Sequence, residues 1–335
     1  VRTLRMVGSE KALEALIDYG PDYRGTVVKE LLAAWPFFDR KEYARRVLSQ
    51  SRGLWGGLRL DNLESLEGVG FLTKLPRLRV YATNRVFSDQ HYAEIDNLNA
   101  LEQLEVRIGG SFDIARMGSL PNLKSIVLAA DALLNIGELK RYRNLYSINL
   151  VGQGMSIPKL ENDKLSLLSI LGNYDFVDSE VCRSRKLRSV TLLGASNGFS
   201  LAMLGEQPHL NSLHVPAETF ASTKSSLCPT SRITELSLSK SEVLENLSVA
   251  SDSKSLRILR LYSAAGLVNL KGVSKLAELV TLDIRGGGAI EDLSELIKLP
   301  IRNLTLGGLP NGVDLSPIAS LARGALVVVP TWAYT

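Results

Sequence analysis

The sequence predicts an α/β solenoid, a stack of short repeats that each give one strand to a parallel sheet and one return segment to its opposite side. Three observations predict it. A six-residue phrase with apolar first, fourth and sixth positions recurs as LPRLRV at Leu75, LEQLEV at Leu101, LKSIVL at Leu123, LYSINL at Leu145, LSLLSI at Leu165, LRSVTL at Leu187, LNSLHV at Leu210, ITELSL at Ile233, LRILRL at Leu256, LVTLDI at Leu279 and IRNLTL at Ile301. With a degenerate copy, WGGLRL at Trp55, successive spacings are 20, 26, 22, 22, 20, 22, 23, 23, 23, 23 and 22 residues. Apolar residues spaced by three then follow the later phrases, as in Ile290, Leu293, Leu296 and Leu299, which suits one or two turns of 3₁₀- or α-helix.

The LxxLxL phrase at this period is the signature of a leucine-rich repeat. Strand side chains alternate, so the first, fourth and sixth residues enter the core and the residues between them face outward. The expected architecture is a curved parallel sheet on the concave face with 3₁₀ or α return segments on the convex face. Each unit packs only on its neighbours, so binding along an extended surface is the default function.

The chain divides near residue 50. Residues 1–50 read as a helical linker or N-terminal cap, and 51–335 as about twelve repeats with a C-terminal capping strand. Leu13, Leu16 and Ile17 share a helical face after Ser9, an expected N-cap, and Gly20-Pro21 ends that helix. Val27, Val28, Leu31, Leu32 and Trp35 make a second face that Pro36 ends. Asp39 and Glu42 have capping-box spacing and open a third helix carrying Tyr43, Val47 and Leu48. Three short helices cannot make a useful core alone, so they are expected to cover the first repeat or to end a preceding helical domain.

Within the repeats, Asp292-Leu-Ser and Asp314-Leu-Ser-Pro are expected to open return turns. A small residue often leaves the strand, as at Ala82, Ala130, Gly172, Gly194, Gly286 and Gly308, and permits a tight turn. The 26-residue unit carries an insertion with Phe87, His91 and Tyr92, and the unit after Leu210 has a Ser/Thr-rich return. At the end, Pro330 and Trp332 are expected to seal an otherwise adhesive edge strand.

Composition excludes several function classes. The 335 residues are 45% hydrophobic, which rules out disorder, and the 39 basic and 35 acidic residues leave a net charge of only +4. That balance disfavours nucleic acid, whose binders cluster basic residues on one stripe. No apolar run reaches the ~18 residues of a membrane span. Two cysteines in different repeats, Cys182 and Cys228, point to a reducing cytoplasm and to buried apolar roles.

Chemistry-bearing motifs are scarce. GASNG at 194–198 matches the nucleophile elbow, but that motif needs a helix next and an Asp before a later His, and His209 and His214 follow too soon with no Asp between. His91, His209 and His214 make no metal spacing with the cysteines. GGG at 286–288 is no phosphate loop, because GxxxxGK[ST] occurs nowhere. No enzyme activity, metal or cofactor is expected of this chain.

The outward positions carry the information. They gather Arg77, Arg79, Tyr81 and Arg107 near the start of the array and Arg257, Arg260, Tyr262 and Arg285 near its end, around an uncharged floor of Val127, Val151, Leu171 and Leu193. Tyr and Arg are enriched at binding hot spots, and exposed apolar patches mark partner sites. These twelve residues are the candidate partner-binding set.

The repeats resemble internalin-like leucine-rich repeats, most closely in IEDLSELIKLPIRNLTL. The block RTLRMVGSEKALEALIDYGPDYRGTVVKELLAAWPFFDRKEYARRVL is similar to the helical stretch that joins NACHT ATPase modules to C-terminal repeats in bacterial NLR-like STAND proteins. The resemblance implies the sensor region of an antiphage immune protein. Its partner would be a protein ligand, phage-encoded or host, or the protein's own upstream ATPase module, through which oligomerisation would run. The alternative is a constitutive scaffold or virulence-type repeat without a switch.

Overall fold

A computed structural model describes residues 1–22, 24–61, 65–83, 86–194, 196–197, 199–204, 206–221, 232–287, 290–310, 312–319, 321 and 325–328, with the backbone alone at 5, 196, 197 and 221. The chain forms two compact units, Val1–Lys164 and Leu165–Thr335.

The first unit opens with four helices, α1 (Arg2–Val7), α2 (Glu10–Ile17), α3 (Gly25–Ala34) and α4 (Arg40–Arg46). α2 and α4 start where the caps require: Ala12 N donates to Ser9 Oγ at 3.2 Å, and Glu42 N to Asp39 Oδ1 at 2.8 Å. α1 has no side-chain cap and no apolar periodicity, so nothing in its sequence announces it; Gly8 ends it at φ 60°. Leu13, Leu16, Leu31, Trp35, Tyr43 and Val47 are buried between the helices. The Tyr43 hydroxyl donates to the Leu31 carbonyl at 3.0 Å, and burial pushes its phenol pKa upward. α4 also presses on the first return turn. A Cβ on Gly68 (φ +90°) would stand 2.6 Å from the Arg40 carbonyl oxygen, so only glycine fits there.

The strands of this unit are β1 (Leu58–Asp61), β2 (Arg77–Ala82), β3 (Gln103–Ile108), β4 (Ser111–Asp113), β5 (Ser125–Ala129), β6 (Ala132–Leu134) and β7 (Ser147–Ile157). β1, β2, β3, β5 and β7 pair in parallel in that order, and β4 pairs with β6. Their register superimposes the phrases: Leu58, Leu78, Leu104, Ile126 and Ile148 form one aligned column, every member at most 2% exposed. The degenerate first phrase departs from the pattern. Trp55 is 58% exposed, and Leu54, one residue earlier in a 3₁₀ turn, takes the interior place.

The long repeat absorbs its extra residues as helix α5 (Asp89–Asp96). Phe87, Tyr92 and Phe112 pack ring against ring with centroids 5.2–5.3 Å apart, so the insertion is anchored in the core. His91 works there structurally, its Nδ1 accepting from Ser88 N at 2.9 Å to close a capping box. Three residues before the Leu165 phrase, buried Asn162 donates Nδ2 to the Leu139 and Tyr142 carbonyls at 3.0 and 3.1 Å.

The second unit carries β8 (Leu167–Phe176), β9 (Ser189–Leu193), β10 (Ser196–Asn197), β11 (Ser212–Pro216), β12 (Glu235–Ser239), β13 (Ile258–Leu261), β14 (Thr281–Ile284), β15 (Asn303–Leu306) and β16 (Leu326–Val328). All but β10, which pairs with β8, follow one another in parallel. Leu168, Val190, Leu213, Leu236, Leu259, Leu282, Leu304 and Val327 share one register position. Each unit is a stack of leucine-rich repeats.

The return segments are short. Val273–Lys275 and Ser294–Leu296 are 3₁₀ turns, and Ser316–Ala319 is one helical turn. Both expected openings are present: Ser294 N and Ser316 N each donate to an Asp oxygen two residues earlier, Asp292 and Asp314, at 2.8 Å. These hydrogen bonds hold both carboxyls below their usual range. Gly194 needs its glycine, with φ +120° and the Gly172 carbonyl oxygen 1.8 Å from where a Cβ would be. Interior polar residues recur three before a phrase. Ser184 Oγ donates to the Leu165 carbonyl at 2.7 Å, and Gln207 Nε2 to the Ser184 and Leu204 carbonyls at 2.9 Å. Pro330, Trp332 and most of the Ser/Thr-rich return lie outside the described residues.

Candidate binding face

In the first unit, register brings the expected residues into a block. Arg59, Arg79, Glu105 and Val127 stand side by side on β1, β2, β3 and β5, and Asp61, Tyr81, Arg107 and Ala129 form the next row. Arg77 lies beside Gln103 in the row before, its Nε shielded from solvent and without a hydrogen-bond partner.

The block is an ion network. Glu105 accepts from Arg107 Nε at 2.8 Å and lies 3.4 Å from Arg79 Nε, while Arg59 pairs with Asp61 at 3.0 Å. The Tyr81 ring lies between two guanidinium groups, Arg59 at 4.6 Å and Arg107 at 5.8 Å from its centroid. Burial alone would push the Glu105 carboxyl up. Hydrogen bonds from Arg107 and Tyr81, with the charges of Arg107 and Arg79, overcome it and hold the carboxyl below its usual range. Val127 and Val151 are half-buried, next to Asn149 and Ala129 respectively.

The second unit repeats the theme. Arg260 sits in register between Ser237 and Asp283 and pairs with Glu235 on the neighbouring strand. Arg285 grips Asp283 with two nitrogens, Nε at 3.1 Å and Nη2 at 2.9 Å. The Tyr262 ring has the Arg285 guanidinium at 5.5 Å on one side and the His214 ring at 5.8 Å on another. His214 Nε2 is buried without a hydrogen-bond partner, and burial, then the Arg260 charge, lowers its pKa against the opposing pull of Glu235. Leu171 and Leu193 are register neighbours and half-buried. Arg257 does not join this group: it stands one residue before β13, out of phase with Arg260.

No family model matches this chain, and no curated protein matches it. Its likeness is to solved leucine-rich-repeat structures. An internalin from Listeria monocytogenes is 13% identical over 83% of this chain and 86% of that one, with a TM-score of 0.40. The plant peptide hormone receptor RGFR1 in complex with RGF2 is 16% identical over 78% and 56%, TM-score 0.40, and a Leptospira interrogans leucine-rich-repeat protein is 13% identical over 84% and 91%, TM-score 0.28. The repeat fold itself rests on the register and core columns described above.

Reading outward positions for Arg and Tyr alone misses half of each cluster. Asp61, Glu105, Glu235, Asp283 and His214 occupy outward positions beside the cations; the acids' signal was an Arg two residues away on the same strand (Asp61, Glu105, Asp283) or on the adjacent repeat (Glu105, Glu235). The groups on offer are guanidinium donors beside tyrosine rings: Arg59 and Arg107 by Tyr81, and Arg285 by Tyr262. Among the described residues no group of three His, Cys, Asp or Glu can hold a metal ion. Cys182 is buried, with its Sγ 3.5 Å from the Ser184 carbonyl oxygen, and Cys228 lies outside the described residues. After Gly194 the chain continues as β10 rather than as a helix, contrary to the geometry of a nucleophile elbow; the Ser196 side chain and Gly198 lie outside the described residues. No helix is long and apolar enough to cross a membrane among the described residues.

Proposed function

We propose that the outward face of the sheet is a protein-binding surface, and that this chain is the cytoplasmic ligand-sensing region of a bacterial NLR-like antiphage protein. The observation that carries the surface reading is Tyr81 held between Arg59 and Arg107, with Arg107 and Arg79 already oriented by Glu105. Groups locked before a ligand arrives lose little freedom on binding, so their contacts convert more fully into affinity. A ligand carboxylate can share these guanidinium groups, and an aromatic or aliphatic residue can cover Tyr81 or the Leu171–Leu193 pair.

The sensing reading is supported by the N-terminal block and its resemblance to NACHT-proximal helices. A ligand shifts an upstream ATPase only as far as it prefers one state of the whole protein. The test replaces Arg79, Tyr81, Arg260 and Tyr262 with Ala in the full-length protein. Phage protection is expected to fall while the protein still folds; unchanged protection with normal folding overturns the surface proposal. A P-loop upstream in the same reading frame separates a switch from a constitutive scaffold.

A further inference from the structure

On the sheet face of the second unit, Arg260 and Arg285 both have carboxylate partners. Six cations along its strand-entry edge do not. The residue before each strand joins a continuous backbone ladder: Asn211 N donates to Arg188 O, Thr234 N to Asn211 O, Arg257 N to Thr234 O, Val280 N to Arg257 O and Arg302 N to Val280 O, all at 2.8–3.0 Å. Arg188, Arg257 and Arg302 therefore stand on one straight edge. At ~4.8 Å per strand the outer two are roughly 24 Å apart.

Lys186, Lys254 and Lys298 flank them just upstream. All six are exposed, and none makes an ion pair among the described residues. Three exposed acids, Glu206, Asp252 and Glu278, lie on the same edge without pairing to any of the six. The first unit differs. There the residues just before the strands include one cation, Lys124, and it pairs with Glu102 at 2.6 Å. The modest net charge of +4 thus coexists with an edge that carries six unpaired cations against three acids.

We propose that this edge binds the phosphate backbone of double-stranded nucleic acid without reading its sequence. A line of free cations on a rigid scaffold is the electrostatic footprint of phosphate contact. A single strand is disfavoured because its binders stack bases on aromatic rings, and no Phe, Tyr or Trp stands among these six residues or in the ladder that joins them. An acidic peptide added as a strand would need free main-chain groups, and the ladder amides are already engaged.

The test is fluorescence anisotropy of this chain with short labelled DNA and RNA duplexes of unrelated sequence across a salt series. Wild type is expected to bind the sequences alike, with affinity falling steeply as salt rises. Arg188→Ala, Arg257→Ala and Arg302→Ala together should weaken binding on the order of tenfold or more and flatten the log–log salt slope by about 3. The matching triple Lys variant should retain binding, and circular dichroism checks that all variants fold. No binding at low salt, binding indifferent to the Ala triple, or displacement of the duplex by polyglutamate at equal charge concentration overturns the proposal.

Discussion

Arg107 Nε donates to Glu105 Oε1 at 2.8 Å from two residues further along the same strand, so one carboxylate orients the guanidinium that flanks Tyr81. Glu105→Gln keeps the shape and removes the charge. The Glu105 carboxyl is held below its usual range when folded, so its contribution is present above the unfolded value of 4.5 and lost as pH falls through the folded one. Arg79 and Arg107 are 41% and 45% exposed, which limits the stability loss near neutral pH to about 0.5–1 kcal/mol. Thermal melts against pH should show a shallower acid limb in the variant; an identical limb refutes the pairing.

Histidine acts on the same acid side, beginning at higher pH. His91 closes its capping box through an unprotonated Nδ1, and burial lowers its pKa below 6.5. The unfolded chain therefore takes up the proton first, so the contribution is intact above 6.5 and lost as pH falls towards the folded value. His214 acts in the same direction. His91→Gln, which can still reach back to the cap, should reduce the loss of melting temperature between about pH 7.5 and pH 5. An unchanged difference would remove His91 from the account.

Two glycines separate backbone strain from collision. Gly194 has φ +120° and a carbonyl oxygen 1.8 Å from the Cβ position, whereas Gly154 has φ +60° and nothing within 4 Å. Gly194→Ala should cost more than about 2 kcal/mol, and Gly154→Ala about 1–2 kcal/mol. Urea titration ranks them, and equal costs would mean the turn at Gly194 can open freely.

Asn162 tests the buried polar positions. Its amide satisfies two carbonyls from the preceding turn. Asn162→Leu matches the volume, and leucine stands three before the phrase at Leu98 and Leu120, yet it removes two hydrogen bonds and leaves each carbonyl with only its backbone turn partner, Tyr142 N or Leu145 N. A loss of about 1–3 kcal/mol in urea unfolding is expected, and a stabilised variant would show that water already serves them.

Most of the fold was legible because one register serves every repeat. Knowing that Leu104 points inward dictates Ile126 and Ile148. The failures have local causes. Trp55 was misplaced by one residue because a 3₁₀ turn supplies Leu54 instead, and α1 has no capping side chain and leaves its apolar Met6 and Val7 exposed. The sequence picked out Arg79, Arg107 and Tyr81 as candidates but left out Arg59, which stands nearest the Tyr81 ring at 4.6 Å. Its acids were passed over although Asp61, Glu105 and Asp283 each stand two residues from an Arg on the same strand; the pairs of Glu105 with Arg79 and Glu235 with Arg260 need the cross-strand neighbour. Arg257 erred the other way, since strand phase removes it from the face.

The helix α5 shows where this chain accepts new material. Its repeat is 26 residues long where the next is 22, yet β2 and β3 stay in register on both sides. Slippage of one residue inside a phrase would exchange inward and outward side chains, whereas whole repeats or return-side insertions leave every column aligned. Gain or loss of whole repeats that share this register therefore yields foldable descendants, and the lineage can redraw its surface by copying and pasting without first inventing a new core.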